Sequence, residues 1–556
     1  MRPLLAGIVA TLMVAGLAAL KPDVLTSDEK AAAAAIQEHR IRADIRFLAS
    51  DLLEGRGPAT RGDRLTQAFV ASRFEAIGLE PGAPNGTWFQ PFDLIAVETQ
   101  CPETLRVTRE GDRVDLRVRE DFVASSGVQS ETAAIDDAEI VFVGYGIQAP
   151  EYGWDDFEGA DLSGKVLLVM NNDPEDDPAL FEGRRRLYYG RWDYKYAMAA
   201  RQGAVGAIII HTTPSAGYGW SVVQNSWGGK QYALPAQGGP ALQVAGWATE
   251  EASRRIARLA GYSLDALRSA AEQRRFRPVP LGVRMSLSLK NRIERRQSAN
   301  VIGRHPGDDP AVAGEAVLYT AHHDHLGMKP GEGNGPPTIY NGALDNASGV
   351  ATMLAIAEAF AALPQGPRRS VVFATVGAEE QGLLGSEYLA RNPPVPVGRL
   401  AADINIDGMN IWGRTHDVAV VGLGKSTLDD WIRAIAEAQG RIVVPEAFPD
   451  KGAYYRSDHF SLARVGVPSV YLDVGTDVVG KPAGWGRRQQ EAWEKAHYHQ
   501  PSDDLSPDWD LAGAVEDAQL LFSLGVKVAD APTLPEWRPG DEFEAAREKA
   551  LAALED

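Results

Sequence analysis

Residues Ser370–Arg391 read SVVFATVGAEEQGLLGSEYLAR, and the fold class turns on how this stretch is parsed. Ser370–Val376 is a β-branched and aromatic run of strand length. Leu383–Arg391 is built from helix formers, and glycines bracket the turn between them. That turn sets two glutamates, Glu379 and Glu380, side by side. Adjacent carboxylates at the end of a buried strand repel one another, and burial makes the repulsion costlier. Either the turn is a solvated surface feature, or cations gathered elsewhere in the chain offset the pair.

Outward from this stretch the same alternation continues. A strand is expected at Ala316–Ala321, a helix at Ala347–Ala362 and another strand at Ala402–Ile406. Strands alternating with helices predict an α/β domain, a mixed, largely parallel sheet flanked by helices. Ligands in such sheets bind beyond the carboxyl ends of the strands. Upstream, EIVFVGYGI, GKVLLVMNN and GAVGAIIIHT are short β-type runs, with YKYAMAARQG as one helix among them. These predict a separate β-rich inserted domain. Helical patterns occupy SDEKAAAAAIQEHRIRADIRFLAS, opened by Ser27 with Glu29 nearby, and DRLTQAFVASRFEAIG, closed by Gly78.

Composition sets bounds on function. The chain of 556 residues is 44% hydrophobic and 24% charged, which is globular. Its net charge of −19, with no basic cluster, argues against a nucleic-acid partner. The short run Arg184–Arg186 reads as an exposed face. Cys101 is the single cysteine, so no intramolecular disulfide can form. The opening MRPLLAGIVATLMVAGLAALKPDVL has a basic start, an apolar stretch and the small-residue pattern Gly16-Leu17-Ala18. It predicts a secretory signal, cleaved near residue 19, with no stable membrane insertion afterwards. An uncleaved anchor is the other reading.

Five segments place metal-type ligands where strands end. They are LYTAHHDHLG with His322, His323, Asp324 and His325; NGALDNASGV with Asp345; the Glu379-Glu380 pair; ADINIDGMN with Asp407; and AHYHQPSDDL with His497 and His499. Each alone is a common accident. Together they form the mixed imidazole and carboxylate set that zinc takes, and their number suits two metals.

These motifs resemble the secreted di-zinc aminopeptidases related to glutamate carboxypeptidase II and the transferrin receptor ectodomain. YRSDHFSLARVGVPSV and the N-terminal LASDLLEGRGPATRGD are also similar to segments of that family. VFVGYGIQAPEYGWDDFEGADLSGKVLLV resembles its protease-associated insert. The resemblance implies a zinc aminopeptidase/phosphorylase-hydrolase-like domain at 291–530, preceded by a signal at 1–19, lead-in helices at 20–136 and the insert at 137–290. A tail helix is expected at 531–556. It further implies two Zn2+ per chain, with His322 and Asp407 at one, Glu380 and His499 at the other, and Asp345 bridging. Glu379 matches the general base acting on a metal-bridged water, and Asp324 the carboxylate that orients His322. His323 and His325 fall outside the implied ligand set, as does His497. Asp458 and His459 read as a substrate-pocket loop, and Tyr498 either as an oxyanion donor or as packing.

The implied function is an exported enzyme, periplasmic or extracellular, that removes N-terminal residues from peptide substrates. The rival readings are a related carboxypeptidase or amidohydrolase, a glutaminyl-cyclase-like enzyme with one zinc, and a non-catalytic receptor ectodomain. The intact ligand set and Glu379 argue against the last of these.

Overall fold

The computed structural model describes residues 25–174, 177, 180–227, 229–331 and 335–554. The signal segment expected at 1–19 lies outside them. No helix among the described residues is long and apolar enough to cross a membrane.

The C-terminal half is built on a mixed, largely parallel sheet. Strand Ala316–His322 lies between parallel partners Ser370–Val376 and Leu400–Asn405, and Ser469–Asp473 extends the parallel run. Asp417–Val421 then runs antiparallel to Ser469–Asp473 and parallel to the edge strand Ile442–Pro445. Both faces are covered, so the central strands read as unbroken apolar runs. Val317, Tyr319, Val371 and Phe373 point to one face, against helices Glu38–Leu48, Gly349–Ala361 and Ala512–Asp530. Leu318, Val372 and Ala374 point to the other, against Leu389 and Leu462. The period of two along each strand feeds two cores at once.

Several elements differ in detail from the sequence reading. The first helical stretch is broken into Ser27–Ala33 and Glu38–Leu48. Its cap is Thr26 rather than Ser27, because Thr26 and Glu29 exchange side chain to backbone hydrogen bonds as a capping box. The helix expected from Ala347 begins at Gly349, and the preceding residues 343–348 turn irregularly, with Asp345 at φ −113°, ψ 93°. Helix Arg61–Ile77 ends at Gly78, whose φ of 94° suits a glycine cap.

The β-rich unit carries parallel strands Val166–Met170, Gly206–His211 and Val244–Thr249. Leu105, Val107, Leu116 and Phe122 join the same hydrophobic cluster as these strands. The boundaries expected at 137 and 290 therefore fall inside strands, Thr132–Phe142 and Val279–His305. Apolar patterning does not mark where a ladder changes partner. Strand Val279–His305 pairs antiparallel with Thr132–Phe142 first, with Phe89–Gln100 next, and with Ser370–Val376 at its end. Leu281, Val283, Met285, Leu287 and Leu289 alternate with exposed residues along its first half.

Arg56 ties the N-terminal segment to this sheet. It is 1% exposed and donates to the carbonyls of Leu48, His323, Asn341 and Gly342 at 2.5–2.9 Å. The flanking glycines let the chain approach closely: a Cβ on Gly55 would lie 2.5 Å from the carbonyl oxygens of Gly327 and Tyr340.

Two outcomes follow from this architecture. The shared strand should make both units unfold in one calorimetric transition, and Leu287→Ala and Phe373→Ala should each lower that same transition, by about 2–5 kcal/mol. Two separable transitions, each moved by one substitution, would contradict this. Arg56→Met should cost more than about 3 kcal/mol, since it strands several buried carbonyls. Arg56→Lys should rescue little of it, because an ammonium cannot span the guanidinium fork; denaturant melts of the two variants check both.

Candidate metal centre

The parallel register sets the carboxyl ends of three strands level. His322 pairs with Val376, and Thr320 with Asn405. The turn with Glu379 and Glu380, and the loop with Asp407, leave from that edge. The irregular turn with Asp345 and the loop with His499 close over it. The sheet thus brings all five ligand-type segments together.

Asp345 organises the geometry, because its two oxygens face opposite ways. Oδ1 lies 3.2 Å from His322 Nε2, which is 3.3 Å from Asp407 Oδ1. Oδ2 lies 3.2 Å from His499 Nε2, which is 3.1 Å from Glu380 Oε2. Two foci result, each with one imidazole and two carboxylates. His322 Nδ1 contacts the carbonyl of Asp324 at 3.2 Å. A proton on Nδ1 leaves a lone pair on Nε2, aimed between two carboxylate oxygens. Such an arrangement needs a positive charge at its centre, and the donor set suits zinc.

The surrounding chain holds these groups still. Asp324 is wholly buried, and its carboxylate accepts the backbone N–H of Glu379 at 3.0 Å and of Glu380 at 3.4 Å. Its Oδ1 stands 3.9 Å from His322 Nδ1, so it is the carbonyl of Asp324 that meets the imidazole. Asp503 accepts the backbone N–H groups of Leu344 and Asp345, which explains why the helix starts late. Ser457 donates to Asp407 Oδ2 at 2.5 Å. Arg56 clasps the carbonyls behind both histidine-bearing and Asp345-bearing loops.

Burial and crowding shift the acids strongly. Burial, reinforced by Glu380, Asp458 and Asp407, pushes Glu379 well above the ordinary range against the opposing field of His322. For Glu380, burial raises the carboxyl, but His499 and His325 outweigh it and hold it at about 2. Burial lowers Arg56 to about 10 even though Asp503, Asp324, Asp345 and Glu380 oppose the shift. One carboxyl held high and its neighbour held low is the kind of separation that acid–base sites use.

The other singled-out residues fall elsewhere. His323 is buried with Nε2 3.1 Å from Asp63, and His497, the last residue of helix Trp485–His497, contacts Ser502. His211 ends its strand and contacts the Tyr218 carbonyl. Asp458 and His459, expected on a substrate-pocket loop, are wholly buried, so neither can touch substrate. Tyr498 stacks on His499 with ring centroids 3.9 Å apart and accepts from Arg456. The sequence reading gave no part to His325, yet its Nδ1 lies 2.6 Å from Glu380 Oε1, and it forms a possible metal-holding group with Asp345 and Glu380. Asp503, Ser457 and Arg56 were likewise quoted within motifs without a role. A glycine-flanked arginine beside an acid-rich ligand set was the available signal for the last.

Comparison with known proteins bears on this geometry. The profile of Peptidase family M28 matches residues 300–523. Aminopeptidase NAALADL1 of Mus musculus is 31% identical over 178 residues, covering 28% of this chain and 22% of that protein. Leupeptin-inactivating enzyme 1 of Streptomyces exfoliatus is 26% identical over 249 residues, 44% of this chain and 51% of that one. The chain thus spans about half or less of the length of these curated relatives. The solved aminopeptidase from Aneurinibacillus sp. strain AM-1 shares the fold, with a TM-score of 0.51 at 19% identity, over 91% of this chain and 97% of its own. The matched segment holds His322, Asp345, Glu379, Glu380, Asp407 and His499 at one sheet edge, and over that segment the chain is similar to peptidase family M28.

Proposed function

We propose that the protein is a zinc-dependent aminopeptidase that removes N-terminal residues from peptides. In this reading His322 and Asp407 would hold one zinc and Glu380 and His499 the other, with Asp345 shared between the two and His325 steadying Glu380. The observation that carries it is the two-sided Asp345, whose oxygens each face a separate histidine–carboxylate pair. Zinc bound there supplies Lewis acidity, which acidifies water and polarises a scissile carbonyl.

The chain's own residues do the rest. Glu379 is the carboxylate outside both foci, and its raised pKa suits a base that takes a proton from the attacking water on its side chain oxygen. It then returns that proton to the leaving amine nitrogen. Asp324 keeps Glu379 and Glu380 in register through their backbone N–H groups, so base and ligand cannot exchange places. Tyr498, fixed between His499 and Arg456, retains a hydroxyl proton to offer the developing oxyanion. Export to the periplasm or beyond is supported by the signal-like residues 1–19.

Three measurements test this reading. Exhaustive chelation should abolish peptide turnover and zinc restore it; full turnover by verified metal-free protein would refute it. Glu379→Gln should keep two metals and lose about 10²- to 10⁴-fold in kcat, whereas Glu380→Gln should lose zinc from one site. The reverse pattern in metal analysis would exchange their roles. Mass spectrometry of the protein from its native host should find a new N-terminus near residue 19, and an intact Met1 would favour an anchor.

A further inference from the structure

The turn Gly377–Gly385 carries Glu379 and Glu380, and one side chain from outside the turn joins its two ends. Asn300 is wholly buried on strand Val279–His305. On that strand Val301 pairs with Thr375, which sets Asn300 level with the end of Ser370–Val376. Its Oδ1 accepts the Gly377 N–H at 3.1 Å, and its Nδ2 donates to the Gly385 carbonyl at 2.9 Å. Nδ2 also donates to Gln90 Oε1 at 2.9 Å. A backbone N–H only donates and a carbonyl only accepts, so the two ends of the turn fix which way the carboxamide points. The ends also touch: a Cβ on Gly385 would lie 2.2 Å from the Gly377 carbonyl oxygen.

Between its ends the turn adopts a backbone that it would not keep alone. Ala378 at φ 58° and Leu383 at φ 63° are left-handed, a conformation that crowds a Cβ against the neighbouring carbonyl. Inside the turn the Glu379 carbonyl accepts from Gly382 and Leu383 at 2.8 Å, bonds that close the coil without tying it to the sheet. Asp324 holds the turn at one point, the successive N–H groups of Glu379 and Glu380. The two glutamates differ in what else holds them. The Glu380 carboxylate meets His325 at 2.6 Å and His499 at 3.1 Å. Among the described residues no hydrogen bond or ion pair holds the Glu379 carboxylate, so its place follows from the backbone of the turn.

We propose that Asn300 is a positioning residue for the base: by clasping both ends of the turn it sets where the Glu379 carboxylate lies. This rests on the aminopeptidase reading above, in which Glu379 moves the proton. Without the carboxamide, the Gly377 N–H and the Gly385 carbonyl are buried and unpaired. The turn then relieves both that cost and its left-handed residues by shifting, and Glu379 shifts with it. Glu380 keeps its place through its two histidines. Asn300 is carried in on the strand that returns from the insert and lies opposite Gln90 of the outgoing strand, so the ribbon between the two units ends at the clasp.

The test is a double-mutant cycle on the zinc-loaded full chain, with zinc affinity read separately by chelator competition. Asn300→Ala should keep both zinc affinities and KM within about threefold of wild type. Its kcat should fall about 10- to 100-fold, the scale of an ångström's misplacement. Added to Glu379→Gln, where the base is gone, Asn300→Ala should cost less than about threefold more, because groups that act as a unit are not additive. Gln90→Met removes the third bond of the same carboxamide and leaves both turn bonds, so its kcat should stay within about twofold of wild type. Gly385→Ala pries the two ends apart with Asn300 in place; it should repeat the loss, and it answers the question if Asn300→Ala does not fold. Wild-type kcat in either variant of the clasp overturns the inference. An equally large further loss in the Glu379→Gln background overturns it too, as does a Gln90→Met loss matching that of Asn300→Ala, since each marks a packing effect. Loss of one zinc ion from Asn300→Ala would assign the clasp to Glu380 and overturn it as well. Zinc-loaded wild type without peptide turnover fails the aminopeptidase reading itself, a result distinct from variants as fast as wild type.

Discussion

Six carboxylates meet at one edge of a parallel sheet, and the rest of the structure depends on their being held there. Asp324, Asp345, Glu379, Glu380, Asp407 and Asp503 approach one another with Arg56 as the fixed buried cation behind them. Carboxylates so placed either take up protons or attract metal. The chain supports them mainly with backbone donors: Asp324 takes the N–H groups of one turn, and Asp503 those of another. Both acids serve as clamps on loops, and the loops carry the groups that face the two foci.

This arrangement separates strength from position. The sheet supplies strength, with its central strands buried on both faces. Position is supplied by polar contacts of small reach, such as Ser457 on Asp407 and the Arg56 fork on two loops and a helix end. A few tenths of an ångström at Asp345 would matter to both foci at once, which is why its turn is pinned at two successive N–H groups rather than continuing the helix.

Much of this was legible beforehand. The strand Ser370–Val376 occurs as expected, because seven apolar or small residues with a glycine after them leave little choice. His322, the Glu379-Glu380 turn and Asp407 were visible for a similar reason, since each lies at or just past a strand end, whereas Asp345 sits in an irregular turn and His499 follows helix Trp485–His497. What could not be read depends on contacts between distant segments. Arg56 lies far from His323 in sequence, and nothing local marks its fork as buried. Asp458 and His459 look like ligands in print but are wholly buried, with the His459 ring packed between Tyr454 and Tyr471. The register of Val279–His305 was hidden too, since its alternation is uniform while its partners change along its length.

That strand also governs how the two halves can move. The chain passes into the insert along Phe89–Gln100 and returns along Val279–His305, and these two crossings are hydrogen-bonded to each other from Phe89–Val301 to Gln100–Lys290. The link is a two-stranded ribbon, with no free loop to act as a pivot. Moving the insert against the sheet means flexing that ribbon like a leaf spring, against its own ladder. The placement of the insert against the sheet edge is accordingly a built dimension, set by a stiff ladder instead of a hinge.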